Sequence, residues 1–290
     1  MTAAESGARA LALLAQRAEE SPAQPWLFAP DGYDWRWWSW AQAAATVAAV
    51  AAGLRAADLP PGSAVYLSPA ATPGALLAWL AAAGAGLAPC WEAAETGTFR
   101  LECAGGPRPE RAGFLLLRRR EDGTEERCPL AGGRPAGSSV TRPEAAARHR
   151  RESRPVLLRG RGTGEADDRA LVLWTLQREA ALVLEPNPGT LAATLLWSRP
   201  THLAEPAAVL DRLATALPQI AGGRDPARRL RRSLRLRTVW WLGAEAPAAE
   251  TVAFFSRFAA APRPLDLTAE GGEAEAVAAN RPQEQLEAGR

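Results

Sequence analysis

Helix-patterned stretches alternate with short apolar runs at both ends of this 290-residue chain, and that alternation admits few architectures. Thr2 and Glu5 have the spacing of a capping box, and the helix they start is predicted to run to about Glu20, with Leu11, Leu13 and Leu14 as its apolar content. Residues 21–25 break it. Residues 26–28 read as a short strand, Asp31-Gly32 as a turn, and residues 33–37 as the returning strand of a hairpin. Ser39 and Gln42 form a second capping box ahead of an Ala-rich helix to about Ala57. Residues 64–67 form a buried-type strand. Thr72 caps a further helix with Pro73 in its first turn, and Gly84 and Gly86 end it before a strand over 87–91.

The middle of the chain, residues 92–165, is poorly patterned, with many Gly, Arg and Glu; loops are expected, and a β-meander around residues 99–103 and 114–118. The alternation then returns. Strands are expected over 170–174, 181–184 and 238–242, and helices over 190–198, 206–217 and 248–260. The expected fold class is α/β, with mostly parallel sheets flanked by helices. Residues 1–275 read as one domain, with subdomains at 1–92 and 165–275 around the irregular middle, followed by a polar tail over 276–290.

Composition narrows the chemistry more than the fold. Apolar residues make up 47% of the chain, enough to bury a large core, and the formal net charge is only +2. Near-neutrality gives no overall argument for nucleic acid or an anionic membrane as partner. There is no lysine, so all 34 basic residues are arginine. Arginine does not substitute freely for a lysine ammonium, and any mechanism that needs one is closed to this chain. Cys90, Cys103 and Cys128 have neither C-x-x-C spacing nor neighbouring histidines, which argues against a zinc site. No apolar leader opens the sequence. The longest mostly apolar stretch, residues 70–89, is Ala- and Gly-rich with Pro73 within it, and reads as a buried helix and strand rather than a membrane span. A cytoplasmic protein without a membrane span is expected.

Five collinear segments carry a resemblance. They are Trp38-Ser39-Trp40-Ala41-Gln42 ahead of the Ala-rich helix, the stretch from Pro61 to Pro69, the stretch from Ala75 to Pro89 ending Gly84-Ala85-Gly86-Leu87-Ala88-Pro89, the stretch from Ala181 to Ala216 with Arg199-Pro200-Thr201-His202 within it, and Leu242-Gly243-Ala244-Glu245-Ala246-Pro247. Their order and spacing resemble the N-terminal portion of AMP-binding, adenylate-forming acyl-CoA synthetases, over about two thirds of the chain. The resemblance implies that family's large N-terminal α/β domain, here without its small C-terminal lid. In the family, a loop of the form T-S-G-T-T-G-x-P-K-G cradles the ATP phosphates. The matching segment runs from Cys128 to Gly137. It keeps the Gly-x-Pro-x-Gly frame, with Gly132, Gly133 and Gly137, but every hydroxyl position is Cys, Pro, Ala or Gly and the lysine position is Ala136. A Gly/Pro-rich surface loop is the plainer reading of the same residues. The family's Y-G-x-T-E motif matches at Thr268, whereas its metal-binding glutamate position is Ala269, with Glu270 one residue late.

The resemblance therefore implies a vestigial nucleotide site made of Gly132, Gly133, Gly137, Gly243 and Thr268, with no catalytic and no metal-binding residue. No cofactor is expected, and ATP with Mg only if activity is retained. Three readings follow: a catalytically degenerate homologue with a binding or regulatory role, an active acyl-adenylate or acyl-CoA ligase, and a decaying gene product. Under the first, a homo-oligomer or pairing with an active synthetase or carrier protein is expected. The arginines between 228 and 237 form a basic run that could suggest nucleic acid but reads rather as a solvated face, and His149 reads as exposed. His202 and the group Trp35, Trp37, Trp38 and Trp40 read as packing, with a partner surface as the alternative for the tryptophans.

Overall fold

The computed structural model describes residues 3–31, 34–67, 72–90, 99–104, 113–119, 124–130, 138–140, 155–160, 165–222, 225–259 and 261–265. Helix α1 spans Ala3–Glu20, and the hairpin β1 (Pro25–Asp31) and β2 (Asp34–Ser39) leads into α2 (Trp40–Ala56). The capping box at its start is complete. Gln42 N–H donates to Ser39 Oγ at 3.2 Å, and Ser39 N–H donates back to Gln42 Oε1 at 2.9 Å. Then follow β3 (Ala64–Leu67), α3 (Pro73–Gly84) and β4 (Ala88–Cys90). Thr72 Oγ1 caps α3 by accepting from Ala75 N–H at 3.2 Å. Gly86 turns the chain out of the helix at φ +76°, a conformation that side chains with a Cβ resist.

The expected meander is present and carries a third strand: β5 (Phe99–Ala104), β6 (Gly113–Arg119) and β7 (Glu125–Leu130). After β8 (Ser138–Val140) come β9 (Val156–Arg159), α4 (Glu165–Gln177), β10 (Ala181–Leu184), α5 (Leu191–Ser198) and β11 (His202–Pro206). The described chain closes with α6 (Ala207–Ala221), α7 (Pro226–Ser233), β12 (Thr238–Leu242), α8 (Ala249–Phe255) and the short β13 (Arg263–Pro264).

One expectation fails here. Residues 170–174 are not a strand but the centre of α4. A five-residue apolar run fits a buried strand and a buried helix equally well, and Ala170, Leu171, Val172, Leu173 and Leu176 are all buried. The strand lies earlier, at β9, where Val-Leu-Leu-Arg was hidden beside an arginine-rich stretch. The sequence also gave no sign of β11 as a strand.

Two sheets result. The larger has the order β13-β12-β11-β9-β10-β1-β2-β8, parallel from β13 to β1 and antiparallel over β2 and β8. The smaller has the order β4-β3-β5-β6-β7, parallel over β4, β3 and β5 and antiparallel beyond. The larger sheet is covered on both faces, as parallel sheets are. Along its strands alternate residues enter different cores. Leu27, Leu157, Leu182, Leu184, Ala204 and Trp240 join a core shared with α1–α4 and the smaller sheet. Phe28, Leu158, Val183, Leu203 and Val239 join the core under α5–α8. Continuous apolar strands are the sequence trace of this two-sided burial.

The tryptophan group belongs to these cores. Trp35, Trp37, Trp38 and Trp40 are all buried, Trp40 stacks on Trp26 at 4.8 Å between centroids, and Trp35 stacks on Trp197 at 4.5 Å. His202 is likewise a packing residue. Its ring lies 4.5 Å from that of Trp174 and 5.3 Å from that of Trp240, and its Nδ1 is 2.8 Å from Thr201 Oγ1.

Candidate functional site

In an open α/β sheet, ligands enter beyond the carboxyl ends of the parallel strands, because the loops there diverge. The strand register brings particular residues to that edge. Arg159 at the end of β9 is level with Ala204 of β11 and Leu184 of β10. The next residue on each strand therefore forms one row: Glu185, Gly160 and Glu205, with Trp241 of β12 opposite Glu205. Three ionisable groups, Arg159, Glu185 and Glu205, meet at this edge, and each is almost completely buried.

Each is held by the chain itself. Arg159 donates from Nη2 and Nε to Asp168 Oδ1 of α4, at 2.8 and 3.2 Å, and from Nη1 to the Ala204 carbonyl at 3.3 Å. Glu205 Oε1 accepts from the Gly160 N–H, and Glu205 Oε2 stands 4.0 Å from Arg159 Nη1. Oε2 has no hydrogen-bond partner among the described residues. A Cβ at position 160 would lie 2.7 and 2.8 Å from the two carboxylate oxygens, so any larger residue there forces this carboxylate to move. Glu185 is fully engaged: Asn187 N–H donates to Oε1 at 3.1 Å and the Thr194 hydroxyl to Oε2 at 2.7 Å.

Two influences oppose each other on Glu205. Burial disfavours its charged form, and the Arg159 guanidinium with the Gly160 N–H favours it. Burial prevails, assisted by the nearby Asp168 charge, and the carboxyl is pushed up to about 7. A 4.0 Å contact with a guanidinium already committed to Asp168 offers little compensation for complete removal from water.

Of the residues implied by the resemblance, Gly243 is placed. It follows the last residue of β12 at φ +82°, exposed at the same carboxyl edge, with open space where a Cβ would project. Gly132, Gly133, Gly137 and Thr268 lie outside the described residues, as do Ala136, Ala269 and Glu270. Cys128 to Leu130, the beginning of the segment likened to a phosphate loop on the resemblance alone, are the last residues of β7. The set of buried Arg159, Glu185 and Glu205 with half-buried Asp168 was not singled out from the sequence. The available signal was a charge closing each apolar run, in Val-Leu-Leu-Arg, Leu-Val-Leu-Glu and His-Leu-Ala-Glu. Among the described residues no group of three His, Cys, Asp or Glu could hold a metal ion, and no helix is long and apolar enough to cross a membrane.

This arrangement of two sheets and interleaved helices is the fold of the N-terminal domain of adenylate-forming acyl-CoA synthetases and ligases. Among solved structures it is similar to IdnL1 (TM-score 0.58, 20% identity, 86% of this chain and 58% of that one). It is also similar to the N-terminal domain of FACL13 from Mycobacterium tuberculosis (TM-score 0.57, 15% identity, 86% of this chain and 74% of that one). A third likeness is to a fatty acyl-adenylate ligase from L. pneumophila, solved with acyl adenylate and pyrophosphate (TM-score 0.56, 14% identity, 86% of this chain and 52% of that one). The chain thus spans little more than half the length of IdnL1 and of the L. pneumophila ligase, and at these identities the likeness is one of fold. No protein-family model and no curated protein matches the sequence.

Proposed function

We propose that this chain is a catalytically degenerate member of the adenylate-forming fold that acts by binding or regulation rather than by adenylating an acid. The observation that carries this reading is that none of its 290 residues is a lysine. Adenylation develops negative charge as pyrophosphate leaves, and preorganised donors at the phosphates supply much of the stabilisation. The segment matching the phosphate loop has Ala136 at its lysine position and no hydroxyl before it, and Ala269 stands where the resemblance expects a metal-binding glutamate.

The carboxyl edge of the sheet supports the same reading. Its charged groups are turned onto one another and onto the backbone, so Arg159 is committed to Asp168 and Glu205 to Gly160. Under this reading the chain's partner is a second copy, an active synthetase or a carrier protein, and ATP with Mg is needed only if activity survives.

The test is acid-dependent ATP–pyrophosphate exchange over a panel from acetate to long-chain and aryl acids. Loss of one phosphate-stabilising donor lowers rates about 100- to 1,000-fold, and several losses combine less than multiplicatively. Exchange at background is expected. Turnover near that of an ordinary synthetase, abolished by Gly133→Val or Gly137→Val, would replace this reading with that of an active ligase.

A further inference from the structure

The net charge of +2 hides a strong local concentration. Residues 224–237 contain seven arginines and one aspartate. That aspartate, Asp225, is engaged as the N-cap of α7, accepting from Arg228 N–H at 2.9 Å. Within α7, Arg228, Arg229, Arg231 and Arg232 are all exposed, while Leu230 is buried. At 100° per residue these four side chains fan over roughly 160° of the helix surface, with Leu230 opposite the middle of the fan. Among the described residues, none of Arg228, Arg229, Arg231, Arg232, Arg235 and Arg237 forms an ion pair with an acidic side chain. Like charges three and four residues apart repel, so the isolated protein gains nothing from this spacing.

The helix is nevertheless held firmly in place. Arg199, in the left-handed region at φ 49°, donates from Nε to the Ser233 carbonyl at 2.9 Å and from Nη2 to the Arg232 carbonyl at 3.0 Å, capping the negative end of α7 with a further cation. Arg229 reaches back to the Ala221 carbonyl at the end of α6 at 3.1 Å. The residue before it, Ile220, is 50% exposed and is the one exposed large apolar side chain among the described residues.

We propose that α7 and the end of α6 form a docking surface for an anionic lipid bilayer. A convex fan of point charges matches a plane of lipid phosphates and carboxylates better than a groove does, and an exposed aliphatic side chain beside the charges has a use at a bilayer that it lacks at a nucleic-acid backbone. Gln219 at the end of α6 apart, the surface has no exposed Asn, Gln or aromatic side chain with which to read or stack bases. The attraction is electrostatic, so it requires positive charge rather than the planar fork of arginine.

The test is co-sedimentation of the full chain with vesicles of phosphatidylcholine alone and with about one third phosphatidylserine, at 0.1 M and 0.5 M salt. Binding to the anionic vesicles at low salt is expected, with release at high salt and none to phosphatidylcholine. Each arginine is worth about fivefold in partition, so changing Arg228, Arg229, Arg231 and Arg232 together to Gln lowers it by several hundredfold. Gln retains good helix propensity, and an unchanged circular dichroism spectrum and thermal midpoint show that the fold survives. Changing the same four to Lys leaves binding within a fewfold of the original. Failure to bind anionic vesicles, equal binding by the Gln variant, loss of binding in the folded Lys variant, or tighter binding to duplex DNA or to an acidic peptide than to vesicles would each overturn the proposal.

Discussion

Replacing Glu205 by Gln removes a fully buried ionisable group at the carboxyl edge of the sheet while keeping its shape and its bond from Gly160. In the folded protein this carboxyl is raised from 4.5 to about 7, chiefly because it is cut off from water. Between those two pH values the folded chain holds a proton that the unfolded chain has released. Folding stability therefore falls as pH rises through this window, by about 1.4 kcal/mol per pH unit, or about 3 kcal/mol over the 2.5 that separates 7 from 4.5. Below pH 4.5 the contribution is fully present, and above pH 7 the loss is complete. Other carboxylates titrate alike in both proteins, so the informative quantity is the difference between wild type and Glu205→Gln. Urea unfolding followed by tryptophan fluorescence at pH 5, 6, 7 and 8 measures it. Wild type is expected to lose about 2–3 kcal/mol relative to the variant between pH 5 and pH 8. Parallel pH profiles would show that Arg159 and Gly160 balance burial, and a wild type that gains on the variant as pH rises would show that they outweigh it.

Gly160→Ala brings a methyl group against the Glu205 carboxylate, and overpacking of this kind lowers stability by about 1–3 kcal/mol, read as a lower urea midpoint. The same change made together with Glu205→Ala should have a much smaller additional effect, because the clash is gone; additive losses in that double-mutant cycle would refute the contact as its cause. Ser39→Ala opens the capping box of α2 and should destabilise the fold by about 1 kcal/mol in the same assay, whereas no change would mean the Gln42 half of the box suffices.

Much of the architecture could be read from local pattern. Ser39 with Gln42, Thr72 with Pro73, and the Gly84–Gly86 exit each specify their turn or helix end through bonds made within a few residues. Each appears in the structure where the pattern puts it. The apolar run at 170–174 was misleading for the opposite reason. Whether such a run is extended or helical depends on what surrounds it, and α4 lies where its apolar residues are covered by α1 and the larger sheet, a long-range circumstance.

The sequence by itself also determined the chemistry that is closed to this chain, since side-chain identity needs no coordinates: a chain without lysine presents no side-chain ammonium. Only the tertiary structure decided that Arg159, Asp168, Glu185 and Glu205 share one edge. They are drawn from β9, α4, β10 and β11, and parallel register brings Glu185 and Glu205, 26 and 46 positions from Arg159, into the adjacent row. The same is true of the carboxyl at Glu205. Its raised pKa comes from burial, and burial depends on the whole fold, so the peptide His-Leu-Ala-Glu-Pro gives no hint of it.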